Sequence, residues 1–222
     1  MTHNLIIFDC DGTLVDSEHL YNSITATLLN ELGYSEYTPE LCLELFAGQS
    51  WGTIRQTLEA RHGEKMPDDI IQRYMAIANE RMTHDFDATE HANDVLHKLG
   101  TDRQICVGSN GERNNVIKSL EVTGLLHHFD EDRIFTKIQV EKPKPAPDLF
   151  LFACEQMQIE PAHTLVIEDS PAGVKAAHAA GIHVLGFIGT AHDKDKQASA
   201  LKNAGATAII DTLIHIEDHL RS

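Results

Sequence analysis

Basic residues are scarce in this chain. Eighteen lysines and arginines stand against 34 aspartates and glutamates over 222 residues, a formal net charge of -16. A general nucleic-acid surface needs a basic stripe, so this balance argues against a nucleic-acid partner. It also means that an anionic ligand would need local help, from a metal ion or a few placed cations, against an unfavourable overall field. Cysteine is sparse as well. Cys10, Cys42, Cys106 and Cys154 lie far apart and form no C-x-x-C pair, which reads as reduced thiols in a cytosol. Long apolar runs are missing: "LIIF" near the start is too short for a signal-peptide core, and no stretch approaches a membrane span. A cytoplasmic monomer without a membrane partner is therefore expected. The fourteen histidines are scattered without an H-E-x-x-H, and most read as surface residues. No internal repeat or low-complexity linker is evident.

What is present is ordinary globular material. An apolar content of 42% allows a sizeable core, and the length suits one large domain or a domain with a smaller partner. "NLIIFD" reads as a short buried strand, and "QICVGSN" (104–110), "TLVIED" (164–169) and "HVLGF" (183–187) repeat the form. Each is a continuous apolar run, as expected of parallel strands covered on both faces. "TAIID" (207–211) could add a further strand. Helical patterns lie between them at 112–124, 146–157 and 170–181, the last ending at a glycine suited to a helix C-cap. Strands alternating with helices predict an α/β fold with a mostly parallel sheet.

One region breaks the alternation. From about Ser17 to Met82 only helical patterns occur. Leu20, Ile24, Leu28 and Leu32 form one stripe closed by Gly33, and Thr38-Pro39 reads as an N-cap followed by proline at the first helical position. Ser50 is a candidate cap for "WGTIRQTLEARHG", and "PDDIIQRYMAIANERM" supplies a fourth helix. The predicted organisation is a core in two pieces, 1–16 and 84–222, with a helical domain at 17–83 inserted between them.

Polar residues gather where the apolar runs end. The first strand runs into Asp9 and Asp11, the 104–108 run into Ser109 and Asn110, and the 164–167 run into Glu168 and Asp169. In open α/β sheets ligands bind beyond the carboxyl ends of the strands. Four carboxylates converging there need a cation, and hard oxygen ligands point to Mg²⁺, which commonly shares its shell with a substrate phosphate. A carboxylate can also attack as a nucleophile and form an acyl-phosphate. A second carboxyl two residues along can serve as acid and then base. "EKPKPAPDLF" offers Lys142 and Lys144 as neutralising cations in a proline-stiffened loop. Taken singly, each cluster also reads as a turn or a helix cap. Cys10, between the aspartates, points to the opposite face and reads as packing.

"DCDGTLVDSE", "VGSNG", "KPAPDLF" and "IEDSPAG", in that order, resemble the four motifs of the haloacid-dehalogenase-like hydrolases, and the resemblance spans nearly the whole chain. It implies a flavodoxin-like (Rossmann-type) parallel sheet core with a small helical cap, Mg²⁺, and phosphoryl transfer through an aspartyl-phosphate. On that resemblance Asp9 would be the nucleophile and Asp11 the acid/base. Thr13 would support their loop, and Ser109 and Asn110 would bind the phosphoryl group. Lys144, directly preceding "PAPD", matches the motif lysine better than Lys142. Asp9, the backbone carbonyl of Asp11, Glu168 and Asp169 would hold the metal.

The same resemblance covers dehalogenases, phosphonate hydrolases, mutases and phosphatases, so the fold does not choose among them. A dehalogenase needs no Asp11. A phosphonate hydrolase needs a cap lysine, and Lys65, the only lysine of the insert, lies in an expected loop. The β-phosphoglucomutases resemble the chain in overall plan, but Tyr21 stands where they carry a hinge histidine and Trp51 where they carry a cap arginine. Gly111 and Glu112 replace the serine and lysine after their second motif. Without a clamp for a second phosphate, a phosphatase of a small phosphate ester is expected, a sugar or sugar-acid phosphate. A mutase and a non-catalytic phospho-ligand sensor are the alternatives. Candidate leaving-group contacts are Glu18, Tyr21, Asn22, Gln49, Ser50 and Trp51.

Overall fold

The computed structural model describes residues 3–16, 18–46, 49, 51–81 and 87–220. In chain order these form β1 (Leu5–Phe8), β2 (Val15–Asp16), α1 (Glu18–Glu31), α2 (Pro39–Phe46), α3 (Trp51–His62), α4 (Ile70–Arg81), β3 (Asp87–Ala88), α5 (Ala92–Asp102) and β4 (Gln104–Ser109). They continue with α6 (Arg113–Val122), β5 (Ile134–Thr136), α7 (Asp148–Met157), β6 (Thr164–Glu168), α8 (Pro171–Ala179), β7 (His183–Phe187), α9 (Lys194–Ala204), β8 (Ala208–Ile210) and α10 (Ile216–Leu220). Two compact units divide the chain: Met1–Asp16 with Phe86–Ser222, and Ser17–Asp85.

The first unit carries a six-stranded parallel sheet in the order β5-β4-β1-β6-β7-β8. Every residue of β1 is fully buried, which is why it is apolar without alternation. Leu5 and Ile7 face one layer with Leu149, Phe150, Val174, Ala177 and Leu201 of α7, α8 and α9, while α5 packs against β4. The strand order reverses at β1, which lies between β4 and β6. A doubly wound sheet opens a crevice at such a switch point.

β5 is the strand that periodicity does not announce: its three residues, "IFT", are too few to show a pattern. The two-residue pair β2–β3 is hidden for the same reason.

The second unit is helical. Leu20, Ile24 and Leu28 are buried on α1, whereas Leu32 lies one residue past its end and is half-buried. Gly33 takes φ 94°, the left-handed backbone that a side chain resists. Thr38 Oγ1 accepts from the Leu41 amide at 3.2 Å ahead of Pro39, an N-cap of the expected kind. Ser50 and the side chain of Glu18 lie outside the described residues.

Candidate active site

The site begins with the turn that ends β1. The amides of Thr13, Leu14 and Val15 all donate to the Cys10 carbonyl, at 3.3, 2.9 and 3.0 Å, and Gly12 N donates to Val15 O at 2.8 Å. This tight fold buries Cys10 completely. Gly12 sits at φ 84°, and a Cβ there would lie 2.3 Å from Asp169 Oδ2. Only glycine permits both the backbone and this approach. Thr13 Oγ1 donates to Asp169 Oδ1 at 3.2 Å.

Lys144 crosses to this turn from the loop before α7. Its ammonium donates to Asp9 Oδ1 and to Glu168 Oε1, each at 2.6 Å. It also lies 4.8 Å from the centroid of the Phe150 ring, a cation–π arrangement. Lys144 is 6% exposed, Asp9 7% and Glu168 1%. A buried ion pair is tolerated only with such close geometry and further hydrogen bonds. Lys142, by contrast, is exposed, so the lysine preceding "PAPD" is the one brought to the cluster.

Asp9, Glu168 and Asp169 each present an oxygen within 4.8 Å of the others. Burial pushes the Asp9 carboxyl up to about 7; Lys144 opposes this, while Glu168 and Asp11 add to it. Burial, then Glu168 and Asp9, also raises Asp169. Burial raises Asp11 too, against the pull of Lys144. Burial alone would lower the Lys144 ammonium, but Asp9 and Glu168 together outweigh it and raise its pKa. Burial is the largest cause at each carboxyl, and the single ammonium is shared between two of them. The cluster is short of positive charge.

A divalent cation fits that deficit. Asp9 and Asp169 offer hard carboxylate oxygens around a turn only a glycine can make, the donor chemistry of Mg²⁺. Glu168 is more committed than the sequence suggests. Its Oε1 takes Lys144, and its Oε2 accepts from Ser170 N at 2.7 Å and Ser170 Oγ at 2.9 Å. Ser170 in turn caps α8, its hydroxyl oxygen accepting from Gly173 N at 3.0 Å. Helix cap and acid cluster are therefore one construction, not competing readings.

At the end of β4, Ser109 is 2% exposed and its Oγ accepts from Gly111 N at 2.9 Å. That contact leaves the hydroxyl proton to donate elsewhere. Asn110, the next residue, also ties this loop to the one that carries Lys144. Its Nδ2 donates to Lys144 O and its Oδ1 accepts from Lys144 N, both at 3.0 Å. Both ends of the amide bond the main chain of Lys144.

The remaining candidates lie in the helical unit. Tyr21 is half-buried on α1, and Asn22 is buried beside it. Gln49 is exposed, with Nε2 donating to Leu45 O at 2.8 Å. The Trp51 ring packs 4.8 Å from that of Tyr74. Lys65 is exposed in the loop between α3 and α4.

Residues 6–187 match the family model described as haloacid dehalogenase-like hydrolase. The chain is 29% identical over 190 residues to a 6-phosphogluconate phosphatase of Escherichia coli, covering 85% of this chain and 84% of that protein. It is 28% identical over 177 residues to a fructose-1-phosphate phosphatase of the same organism, covering 80% and 92%. A solved hydrolase structure from Deinococcus radiodurans, with bound phosphate and sodium, superposes with a TM-score of 0.84 at 30% identity, covering 98% of this chain and 95% of that one.

Proposed function

The chain belongs to the haloacid dehalogenase-like hydrolase family, and from that premise we propose that it is a Mg²⁺-dependent phosphatase. Its substrate is a small phosphorylated metabolite, a sugar or sugar-acid phosphate, and the reaction passes through an aspartyl-phosphate. The observation that carries this reading is Asp9, buried at the switch point with one oxygen pinned to Lys144 at 2.6 Å and a second aspartate two residues on. Named phosphatases of 6-phosphogluconate and fructose 1-phosphate among its relatives support the substrate class.

In this scheme the second oxygen of Asp9 attacks phosphorus as the ester P–O bond breaks. Asp11, whose pKa burial raises, gives its proton to the departing alkoxide. The first half-reaction leaves an acyl-phosphate on Asp9 and a released alcohol. Water then attacks phosphorus, Asp11 takes the proton back, and phosphate departs with the carboxylate of Asp9 restored. Lys144 and the Ser109 hydroxyl stabilise charge on the transferring oxygens. Asp9, Asp169 and the Asp11 carbonyl would hold Mg²⁺, with Glu168 fixing Lys144 beside them. When bound, the ion supplies neutralisation of phosphoryl charge and orientation of the ester. Thr13 and Asn110 hold the loops that carry these groups.

Gln49, Ser50, Trp51 and Tyr21 are proposed to select the leaving group. Comparing kcat/KM for a sugar phosphate and for p-nitrophenyl phosphate across substitutions at Gln49 and Trp51 tests that role. A loss confined to the sugar phosphate supports it, and an equal loss on both removes it. The function as a whole is tested by phosphate release from a panel of sugar and sugar-acid phosphates with Mg²⁺, and again with excess chelator. Turnover that survives the chelator, or no turnover on any ester, would overturn the reading.

A further inference from the structure

Two side chains beyond the span matched by the family model reach back to the acid cluster. Thr190 follows β7, and its Oγ1 donates to the Gly12 carbonyl at 2.6 Å. Gln197, on the first turns of α9, donates from Nε2 to the Asp169 carbonyl. Both residues are half-buried. The start of α9 is itself fixed, because Asp193 Oδ1 accepts from Lys196 N at 2.9 Å as the N-cap. That cap sets where Gln197 falls on the helix.

The targets matter more than the donors. Gly12 and Asp169 face each other across the gap between the loops after β1 and β6. A Cβ on Gly12 would clash with Asp169 Oδ2 at 2.3 Å, and Thr13 Oγ1 bonds Asp169 Oδ1 at 3.2 Å. Gly12 follows directly on Asp11, whose carbonyl is one of the proposed ligands, and Asp169 carries another. The segment 190–197 therefore grips both ligand loops by their main chains, and the Thr13–Asp169 bond closes the ring. The two loops leave paired strands, with Asp9 N donating to Ile167 O at 3.0 Å, and segment 190–197 adds a second hold further out, on the Gly12 and Asp169 carbonyls.

We propose that Thr190 and Gln197 are positioning residues that hold the Asp9–Thr13 turn and Asp169 at the spacing a Mg²⁺ ion requires. Mg²⁺ demands near-ideal geometry and short bonds, so a loop released by a few tenths of an ångström loses affinity before the fold is lost. Outer partners of metal ligands characteristically set affinity by roughly ten- to a hundredfold.

This inference rests on the Mg²⁺ reading given above, and the experiment separates the two. Mg²⁺ binding to metal-free, full-length protein is measured by titration calorimetry for the wild type, Thr190→Val, Thr190→Ser and Gln197→Leu, with the melting temperature of each in chelator. Thr190→Val and Gln197→Leu should each weaken Mg²⁺ about tenfold, and Thr190→Ser, which keeps the hydroxyl, should stay within about twofold of wild type. Thr190→Val changes shape least and remains the deciding variant if Gln197→Leu does not fold. Wild-type affinity in Thr190→Val, whatever its melting temperature does, overturns the positioning role while leaving the Mg²⁺ reading intact. No Mg²⁺ binding by the wild type overturns both.

Discussion

At the scale of single residues, the close packing around the acid cluster makes two substitutions decisive. Asp9→Asn keeps the shape of the side chain and removes its nucleophilicity, so phosphate release should fall by several orders of magnitude. Since burial already raises the Asp9 pKa to about 7, the neutral amide should not cost stability above that pH, and a denaturant titration at pH 8 checks this. Near-wild-type turnover in that variant would exclude the aspartyl-phosphate. Gly173→Ala is the second. A Cβ there would fall 1.7 Å from Glu168 Oε1, the atom that accepts Lys144. Either α8 shifts or Glu168 swings away, and such overpacking costs about 1–3 kcal/mol. Turnover should drop with it, because Lys144 loses a partner. Unchanged stability and turnover would mean that the Glu168–Lys144 contact is not needed. Asp9, Ser109 and Glu168 of the proposed site are legible as polar residues at the ends of apolar runs, whereas Lys144 stands in a proline-stiffened loop. Gly173 was legible only as part of a motif, since nothing in a helix's sequence reveals which carboxylate its first turn will touch.

At the scale of elements, the division between what reads from sequence and what does not follows the nature of the contacts. β1, β4, β6 and β7 are legible because two-sided burial gives each a continuous apolar run. β5 and the β2–β3 pair are too short to show a period. Asn110 illustrates a different limit: as a residue after a strand it reads as a phosphate ligand or a cap, and its side chain also bonds the main chain of a residue 34 positions away. Main-chain carbonyls and amides are the same at every position, so side chains that bind them leave no pattern. The same holds for Thr190 and Gln197. This distinction is testable at Asn110. Asn110→Ala removes two hydrogen bonds to the Lys144 peptide, worth about 1–3 kcal/mol together, and loosens the loop that delivers the ammonium. Turnover on p-nitrophenyl phosphate should fall through kcat, with inhibition by inorganic phosphate little changed. A loss expressed chiefly as weaker phosphate inhibition would instead return Asn110 to direct phosphoryl binding.

At the scale of the whole molecule, acidity should couple the stability of the fold to the proposed metal. A chain with net charge -16 that buries several carboxylates around one lysine has a folded state that prefers protons or cations at that site. The sign follows from Asp9. Its folded pKa lies near 7 against an ordinary value of 3.8, so between about pH 4 and pH 7 the native metal-free protein holds a proton that the unfolded chain has released. The stability contributed by this group is present at low pH and is lost as pH rises through 7. Asp169, raised by burial and by the same neighbours, adds to the trend. Mg²⁺ requires those carboxylates ionised, so its affinity should rise through the same window, and saturating ion should stabilise more at pH 8 than at pH 5. Melting temperature measured against pH, once in chelator and once in excess Mg²⁺, should give two curves that diverge as pH increases. The divergence should shrink in Asp9→Asn, where one of the two titrating ligands is gone. Parallel curves in the wild type would show that the buried carboxylates are not the seat of the ion.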